Sequence, residues 1–331
     1  MWNKLRIYLF SLCLAMAALV QADEPNEQMR ISLLTCAPGE ELYARFGHTA
    51  LRVYDPANET DIVFNYGIFD FDTEQFYWKF VKGETWYELG AAPMKWFMWE
   101  YNETHRPVYE QILNLTPAQR NEIWQTLAVN YEPENRKYLY NFVFDNCATR
   151  PYYLIAHALK DTIISDYTGY TGQTYRTFIR HYTGALSLEY AGISLLLGPK
   201  ADQPMNSDQR LFLPEELMLF MQSAHLADGT PIVSEGTIAS FGAPSVPWYA
   251  LWPVWLALYF CIVAAVSIQD RHLHHWSKWL EITAAVLYLL LLLIVGFLTF
   301  FSCHPLVGFG WRLLIIPLTH LCARLIYIIR R

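Results

Sequence analysis

The sequence lacks the signatures of several common protein classes, and these absences narrow what the chain can do. It has no excess of positive charge, since 24 Lys and Arg residues stand against 31 Asp and Glu residues and the formal net charge is −7. No basic patch interleaved with aromatic residues is present, which argues against nucleic acid as a partner. There is no HExxH motif, no paired CxxC, no phosphate-binding loop and no internal repeat. We therefore expect neither a metal ion nor a cofactor.

Cysteine is scarce, with six residues in a chain of 331. Four of them lie in or next to long apolar segments, so that only Cys36 and Cys147 fall in the more polar part of the chain. Two cysteines in an exported protein can form a structural disulfide, and this alternative stays open. A domain of this length does not need a disulfide to fold, however. Cys36 ends an apolar strand before a Pro-Gly turn, a context that favours a buried small side chain.

Long apolar runs are confined to the two ends of the chain. Residues 1–22 have the pattern of a secretory signal: Lys4 and Arg6 precede the apolar run Ile7 to Val20, and a small residue, Ala22, stands where signal peptidase cuts. An uncleaved anchor helix is the alternative. Either interpretation predicts that the following domain, residues 23–240, is exported.

The C-terminal segment, residues 241–331, is predicted to be a membrane anchor. Tyr249 to Ile268 and Lys278 to Phe301 are each long enough to contain a span. Arg312 to Ile329 is either a third span or an amphipathic surface helix. Positive charge between Arg271 and Lys278, and again at Arg330-Arg331, indicates the cytoplasmic side. This topology places residues 23–240 in the periplasm, attached to the bacterial inner membrane.

The stretch around Cys147 is the strongest candidate for chemistry. An aromatic and apolar run, Tyr138 to Phe144, leads into it, and an apolar helical pattern, Tyr152 to Leu159, follows. Because a proline is tolerated only in the first turn of a helix, Pro151 predicts a helix start at Cys147 or Ala148. Unpaired N–H groups at a helix start favour a thiolate. The N–H groups of Cys147 and Ala148 are also predicted to hold an oxyanion.

A nucleophilic cysteine needs a base, and His48 is the best candidate. It begins a short run that is typical of a strand and ends at a turn, and a second strand pattern follows over Ile62 to Phe69. Strands adjacent in sequence usually pair, which would place Asn65 or Tyr66 beside His48. A histidine base also needs a group that fixes its ring and tautomer. We predict Asn65 for that role.

Four short segments together resemble a known family. They are LLTCAPG at 33–39, FGHTALRV at 46–53, FNYG at 64–67 and DNCATR at 145–150. This set resembles the N-terminal periplasmic domain of Lnb-type bacterial lipoprotein N-acyltransferases, which is similar to the circularly permuted papain-like (NlpC-type) group that includes lecithin:retinol acyltransferase. In that group histidine precedes cysteine, as it does here.

The resemblance implies an α+β fold of the permuted papain-like type with C-terminal transmembrane helices. It also implies a chemistry: an acyl group passes from a phospholipid donor to Cys147 as a thioester. The acyl group then passes to the N-terminal amine of a diacylated lipoprotein. Two other functions stay open on the residues alone. One is a membrane-anchored cysteine amidase or peptidase acting on the cell wall, and the other is a non-enzymatic membrane assembly protein.

One aromatic segment has two interpretations. Met94 to Tyr101 contains Trp96, Phe97 and Trp99 as well as Tyr101 itself. Such a segment either packs into a core or forms a lipid-facing lip, since Trp and Tyr suit the membrane interface.

Overall fold

The structure is a computed structural model and describes residues 28–69, 72, 74–160, 162–169, 172–206, 208–268 and 274–329. The predicted signal segment 1–22, part of the predicted cytoplasmic loop and the terminal Arg330-Arg331 lie outside these residues. Within them, the chain forms a mixed domain of strands and helices followed by three apolar helices. The α+β class predicted from the sequence is confirmed.

An antiparallel sheet of seven strands is the framework of the mixed domain. Its strand order is β6-β4-β3-β2-β1-β5-β9, and β7 pairs with β8 in a separate small ladder. The strands are β1 (Arg30–Cys36), β2 (His48–Asp55), β3 (Thr60–Ile68), β4 (Trp86–Pro93), β5 (Val108–Leu113), β6 (Lys137–Leu139), β7 (Ile164–Ser165), β8 (Ala224–His225) and β9 (Val233–Gly236). The predicted strands at His48 and at Ile62 are therefore present, and they pair with each other as neighbours.

Ten helices are described in this structure besides short 3-10 turns. They are α1 (Phe76–Lys82), α2 (Met94–Glu103), α3 (Pro117–Tyr131), α4 (Thr149–Leu159), α5 (Tyr175–Thr183), α6 (Leu188–Leu196), α7 (Pro214–Gln222), α8 (Trp252–Ile268), α9 (His274–Phe301) and α10 (Ile315–Ile329). Local sequence sets several of their ends. Thr116 and Gln119 form a reciprocal capping box at the start of α3, which satisfies N–H groups that a helix start leaves unpaired.

Helices cover both faces of the sheet. On one face, Leu33 and Leu51 pack with Ile155 of α4 and Leu127 of α3 in the largest apolar cluster. On the other face, α2 packs on strands β1 to β3 in a smaller cluster. Both faces being covered explains why the central strands are almost wholly buried.

The aromatic segment that begins at Met94 has both buried and exposed rings. Phe97 and Tyr101 are buried against the sheet, whereas Trp96 and Trp99 are exposed. The segment is thus one amphipathic helix, and its exposed tryptophans are on the side away from the core.

The C-terminal part contains the apolar helices α8, α9 and α10. Among the described residues, one stretch, Glu281–Phe301, is long and apolar enough to cross a membrane. Two further apolar stretches, Trp252–Ile262 and Trp311–Cys322, are shorter than a bilayer span. The structure therefore gives one candidate span where the sequence predicted two or three.

The connection between α9 and α10 is built into the mixed domain. Leu306 is buried in an apolar cluster with Leu197 and Phe212, and its carbonyl accepts a hydrogen bond from Gly198 N–H at 2.8 Å. Arg312 pairs with Asp202 at 3.0 Å. The apolar helices are thus docked on the domain by packing and hydrogen bonds.

Candidate active site

A left-handed glycine places His48 at the start of β2. Gly47 has φ +76°, and a Cβ there would lie 2.7 Å from the carbonyl oxygen of Cys36. Only glycine tolerates both the conformation and the close approach. The chain therefore turns sharply before His48, which then pairs with Cys36 at the end of the β1–β2 ladder.

Cys147 lies just before α4, and Asn146 fixes the chain there. The Asn146 side-chain amide donates to the carbonyls of Phe142 at 2.7 Å and Phe212 at 2.8 Å. Its side-chain oxygen accepts from Ala148 N–H at 2.9 Å and Thr149 N–H at 3.0 Å. The sequence predicted a helix start at Cys147 or Ala148, but α4 begins at Thr149 with Ala148 as its cap. This boundary shifts because Asn146 takes over the first unpaired N–H groups.

The structure brings Cys147 and His48 together across a glycine. A Cβ built on Gly67 would lie 3.7 Å from Cys147 Cβ and 3.7 Å from His48 Cε1. Gly67 has φ +107° and lies where the pairing of β3 with β4 shifts register between Tyr66 and Ile68. The bulge and the missing side chain leave space beside both residues.

Asn65 contacts His48, whereas Tyr66 does not serve the site. Asn65 Oδ1 is hydrogen-bonded to His48 Nε2. Because a carbonyl oxygen only accepts, Nε2 carries the proton and Nδ1 holds the free lone pair. The hydroxyl of Tyr66, in contrast, accepts from Asn130 at 2.9 Å, and its ring is buried in the main core. Of the two residues that the strand pairing offered, the structure places Asn65 on the histidine.

One of the two predicted oxyanion donors already has a partner in the structure. Ala148 N–H already donates to Asn146, so the prediction for Ala148 is wrong in this structure. The N–H groups that act on the sulfur are those of Thr49 and Cys147, and both lower the pKa of the Cys147 thiol. An oxyanion formed next to the sulfur would meet the same pair of donors.

The pKa values of the pair describe a neutral thiol beside a neutral imidazole. Burial raises the pKa of Cys147 from 9.0 to about 11, against the opposing effect of the two N–H groups. Burial also lowers the pKa of His48 from 6.5 to about 4; the Asn65 hydrogen bond opposes this shift and the charge of Arg106 adds to it. The sequence predicted a lowered cysteine pKa from the helix start alone. Desolvation outweighs that effect at Cys147, because the thiol is buried.

A neutral pair can still carry out nucleophilic catalysis. His48 Nδ1 can accept the thiol proton as the sulfur bonds to an electrophilic carbon, which is general-base activation of a nucleophile. The low-dielectric surroundings also strengthen the interaction of nearby N–H groups with a developing oxyanion. The arrangement therefore suits acyl chemistry through Cys147.

Cys36 has no part in this chemistry. It is fully buried, it is a free thiol, and burial raises its pKa to about 12. Cys147 is free as well, so the disulfide that the sequence left open is not formed. Cys36 is the buried small side chain that its context predicted.

Sequence reasoning missed four contributors to the site. They are the backbone N–H of Thr49, the bulge at Gly67, the charge of Arg106 and the cap formed by Asn146. Only Asn146 carried a readable signal, since an asparagine side chain commonly accepts a hydrogen bond from the backbone N–H two residues on. The other three depend on contacts between segments far apart in the sequence.

Comparison with known proteins agrees with the resemblance of the four motifs. Residues 18–181 match the family described as the Lnb N-terminal periplasmic domain. No curated protein and no solved structure matches the chain. The matched range contains every member of the site, from His48 to Cys147. Residues 18–181 of this chain are therefore an Lnb N-terminal periplasmic domain.

Proposed function

We propose that this protein is a membrane-anchored thiol acyltransferase with Cys147 as its nucleophile. The observation that carries the proposal is the meeting of Cys147 and His48 across Gly67, with Asn65 on the far nitrogen of the imidazole. A nucleophile, a base and a group that orients the base form the minimal set for covalent acyl transfer. The papain-like permuted fold that the resemblance implies is part of this proposal.

In the first half-reaction, Cys147 attacks the ester carbonyl of a phospholipid. His48 Nδ1 takes the thiol proton while the new C–S bond forms, and the carbonyl oxygen becomes an oxyanion between the N–H groups of Thr49 and Cys147. The C–O bond to the glycerol then breaks. His48 returns its proton to the departing alkoxide, so the products are a lysophospholipid and an acyl thioester on Cys147.

In the second half-reaction, an amine takes the acyl group. The proposed acceptor is the N-terminal α-amino group of a diacylated lipoprotein. Its nitrogen attacks the thioester carbon, and His48 accepts a proton from the nitrogen. The C–S bond then breaks, and the sulfur recovers the proton from His48. The products are an amide on the lipoprotein and a free thiol on Cys147.

The proposed location is the inner membrane, with the mixed domain in the periplasm. The helix over Glu281–Phe301 is long enough to cross a bilayer, and the connection after it is packed into the domain through Leu306. A site held close to a bilayer meets both lipid and lipoprotein at a high effective concentration. In cells, an impermeant thiol reagent should label a cysteine placed at the exposed Glu103 and should not label one placed at Ser277.

A membrane-anchored cell-wall amidase or peptidase with the same Cys147–His48 dyad is less well supported. Its substrate would lie outside the membrane, so it should keep its activity after removal of residues 248–331. In this structure, however, that removal would take Leu306 out of a buried cluster and would break the pair between Arg312 and Asp202. The domain and the apolar helices are built as one unit, which favours a substrate at the membrane.

The proposal is tested by acyl transfer from phospholipid vesicles to a synthetic diacylated lipopeptide with a free N-terminal amine. Cys147→Ala and His48→Ala should each abolish transfer, and the double variant should be no worse, because the two groups act as a unit. Asn65→Ala should be milder, since Asn65 only orients the base. Full transfer by Cys147→Ala would refute the nucleophile assignment.

A further inference from the structure

We propose that α1 and the aromatic rings between it and Cys147 bind the acyl chain of the donor lipid, with α1 lying in the surface of the bilayer. This inference rests on the proposed function, because it names the route by which that substrate reaches the thiol. The occupant is a long hydrocarbon chain of a membrane lipid. The evidence comes from the exposure of α1, its position on α9, and an unbroken series of ring contacts.

The short helix α1 exposes an unusual amount of aromatic surface. Tyr77 is 74% exposed, and Trp78 and Phe80 are each 53% exposed. Lys79 and Lys82 lie on the same seven-residue helix. Aromatic side chains together with lysines are the composition of helices that lie at a membrane surface, where rings enter the acyl region and ammonium groups meet phosphates.

Contacts with α9 place this surface at one end of the candidate membrane span. The ring centroids of Trp78 and Phe297 are 5.4 Å apart, and Phe297 lies in the last turns of α9. Just beyond α9, Cys303 N–H donates to the Lys82 carbonyl at 2.8 Å, and His304 Nε2 bonds the Phe80 carbonyl at 3.0 Å. If α9 crosses a bilayer, α1 lies at the level where the bilayer ends. The exposed rings then face lipid.

From α1, neighbouring rings continue into the domain. Phe80 stacks on Phe76 with centroids 6.2 Å apart, and Phe76 stacks on Phe69 at 5.9 Å. Phe69 contacts Tyr87 at 4.9 Å, and Tyr87 stacks on Tyr140 at 4.1 Å. We call these five residues the aromatic track. Four of them keep part of their surface accessible and only Phe76 is buried, so most of the track has apolar surface that a hydrocarbon chain can contact.

The inner end of the track lies at the dyad. Phe69 follows Gly67 by two residues, and Gly67 is in contact range of both Cys147 and His48. Tyr87 and Tyr140 are close enough to Cys147 for a charge on its sulfur to raise the pKa of both phenols, in addition to the larger effect of burial. An ester carbonyl at Cys147 would thus have its acyl chain directed along the track toward α1.

The inner part of the track is tested by chain-length selectivity. Acylation of Cys147 is measured with a palmitoyl ester and with a water-soluble butyryl ester. Phe69→Ala should lower the ratio of kcat/KM for the long chain to that for the short chain by about tenfold, because it removes ring surface that only a long chain reaches. Trp99→Ala is the matched control, since Trp99 is exposed on α2 and lies outside the track; it should leave the ratio unchanged.

The binding of α1 to the bilayer surface is tested with phospholipid vesicles. The double variant Trp78→Ser and Phe80→Ser should lose about tenfold in activity toward phosphatidylcholine–phosphatidylglycerol vesicles, whereas Trp96→Ser and Trp99→Ser together should not. Both pairs are exposed, so neither should prevent folding. Equal losses in the two pairs, or none in either, would overturn the assignment of α1 to the bilayer.

The results with the two esters also distinguish a failure of this inference from a failure of the proposed function. If no ester of any chain length acylates wild-type Cys147, the proposed function fails. If both esters acylate Cys147 but Phe69→Ala leaves the selectivity ratio unchanged, the acyltransferase stands and the aromatic track is wrong. Circular dichroism and the butyryl ester together report whether each variant is folded and its thiol competent.

Discussion

The reactivity of Cys147 toward alkylating reagents should be low at neutral pH, in contrast to a cysteine that forms a thiolate–imidazolium pair. Burial raises its pKa from 9.0 to about 11. Two pKa units correspond to about hundredfold less thiolate at pH 7 than an ordinary cysteine has. Since only the thiolate reacts, the alkylation rate should be well below that of an ordinary cysteine.

The sign of the pH dependence follows from the same shifts. A raised cysteine pKa delays ionisation, so the logarithm of the alkylation rate should climb by about one per pH unit from pH 7 to pH 10 without a plateau. His48, whose pKa is lowered to about 4, stays neutral over that whole range and adds no step. A thiolate–imidazolium pair would behave differently. Its thiolate would already be formed at acidic pH, so the alkylation rate would reach a plateau there.

The assay is iodoacetamide labelling of the folded protein at a series of pH values, followed by peptide mapping. Cys303 is exposed and Cys36 is fully buried, so the two give fast and slow internal references for access. His48→Ala should leave the slope for Cys147 unchanged. Rapid labelling of Cys147 between pH 5 and pH 7 that disappears in His48→Ala would refute the neutral pair.

Three further predictions concern residues that surround Cys147 and His48. Gly67→Ala should abolish acyl transfer and cost about 1–3 kcal/mol in unfolding free energy, because it puts a methyl group between the dyad at a positive φ; activity and thermal melts measure both. Arg106→Gln should raise the pKa of His48, since the Arg106 charge lowers it, and should shift the acidic limb of the kcat/KM profile upward. Asn146→Ala should lower stability by about 1–3 kcal/mol or more in denaturant titration, because it leaves buried backbone groups without partners. Wild-type stability in Asn146→Ala, or an unmoved acidic limb in Arg106→Gln, would contradict these assignments.

The sequence was sufficient to predict the elements that local patterns encode. The strand that begins at His48 and its pairing with the strand that carries Asn65 both follow from short-range signals. These signals are reliable because the pattern of a strand depends on neighbouring residues. The contact between Asn65 and His48 could be predicted for the same reason, since adjacent strands usually pair.

Most of what was not predicted depends on distant segments. The occupied N–H of Ala148 is the local exception, since it donates to the side chain of Asn146 two residues earlier. The bulge at Gly67, in contrast, arises from the pairing of β3 with β4. The direction of the Cys147 pKa was predicted incorrectly because a helix start favours a thiolate, whereas burial by the whole domain favours the thiol. Local sequence contains the first effect and gives no measure of the second.

The packing of the apolar helices on the domain could not be predicted from the sequence either. Hydropathy predicts that residues after 248 enter a membrane, but no pattern indicates that Leu306 fills a buried cluster. Nor does hydropathy indicate that the ring of Trp78 packs against the ring of Phe297. These contacts join segments that are far apart in the sequence. They are the reason why the proposed lipid route could be drawn only from the structure.

The most direct test of the central claim is a search for the acyl-enzyme itself. The purified full-length protein is mixed with phospholipid vesicles in the absence of an amine acceptor and examined by intact mass and peptide mapping. The account predicts one added acyl group on Cys147, removable by neutral hydroxylamine and absent from Cys147→Ala and His48→Ala. A protein that transfers acyl groups to the lipopeptide while Cys147 never carries an adduct would contradict the claim.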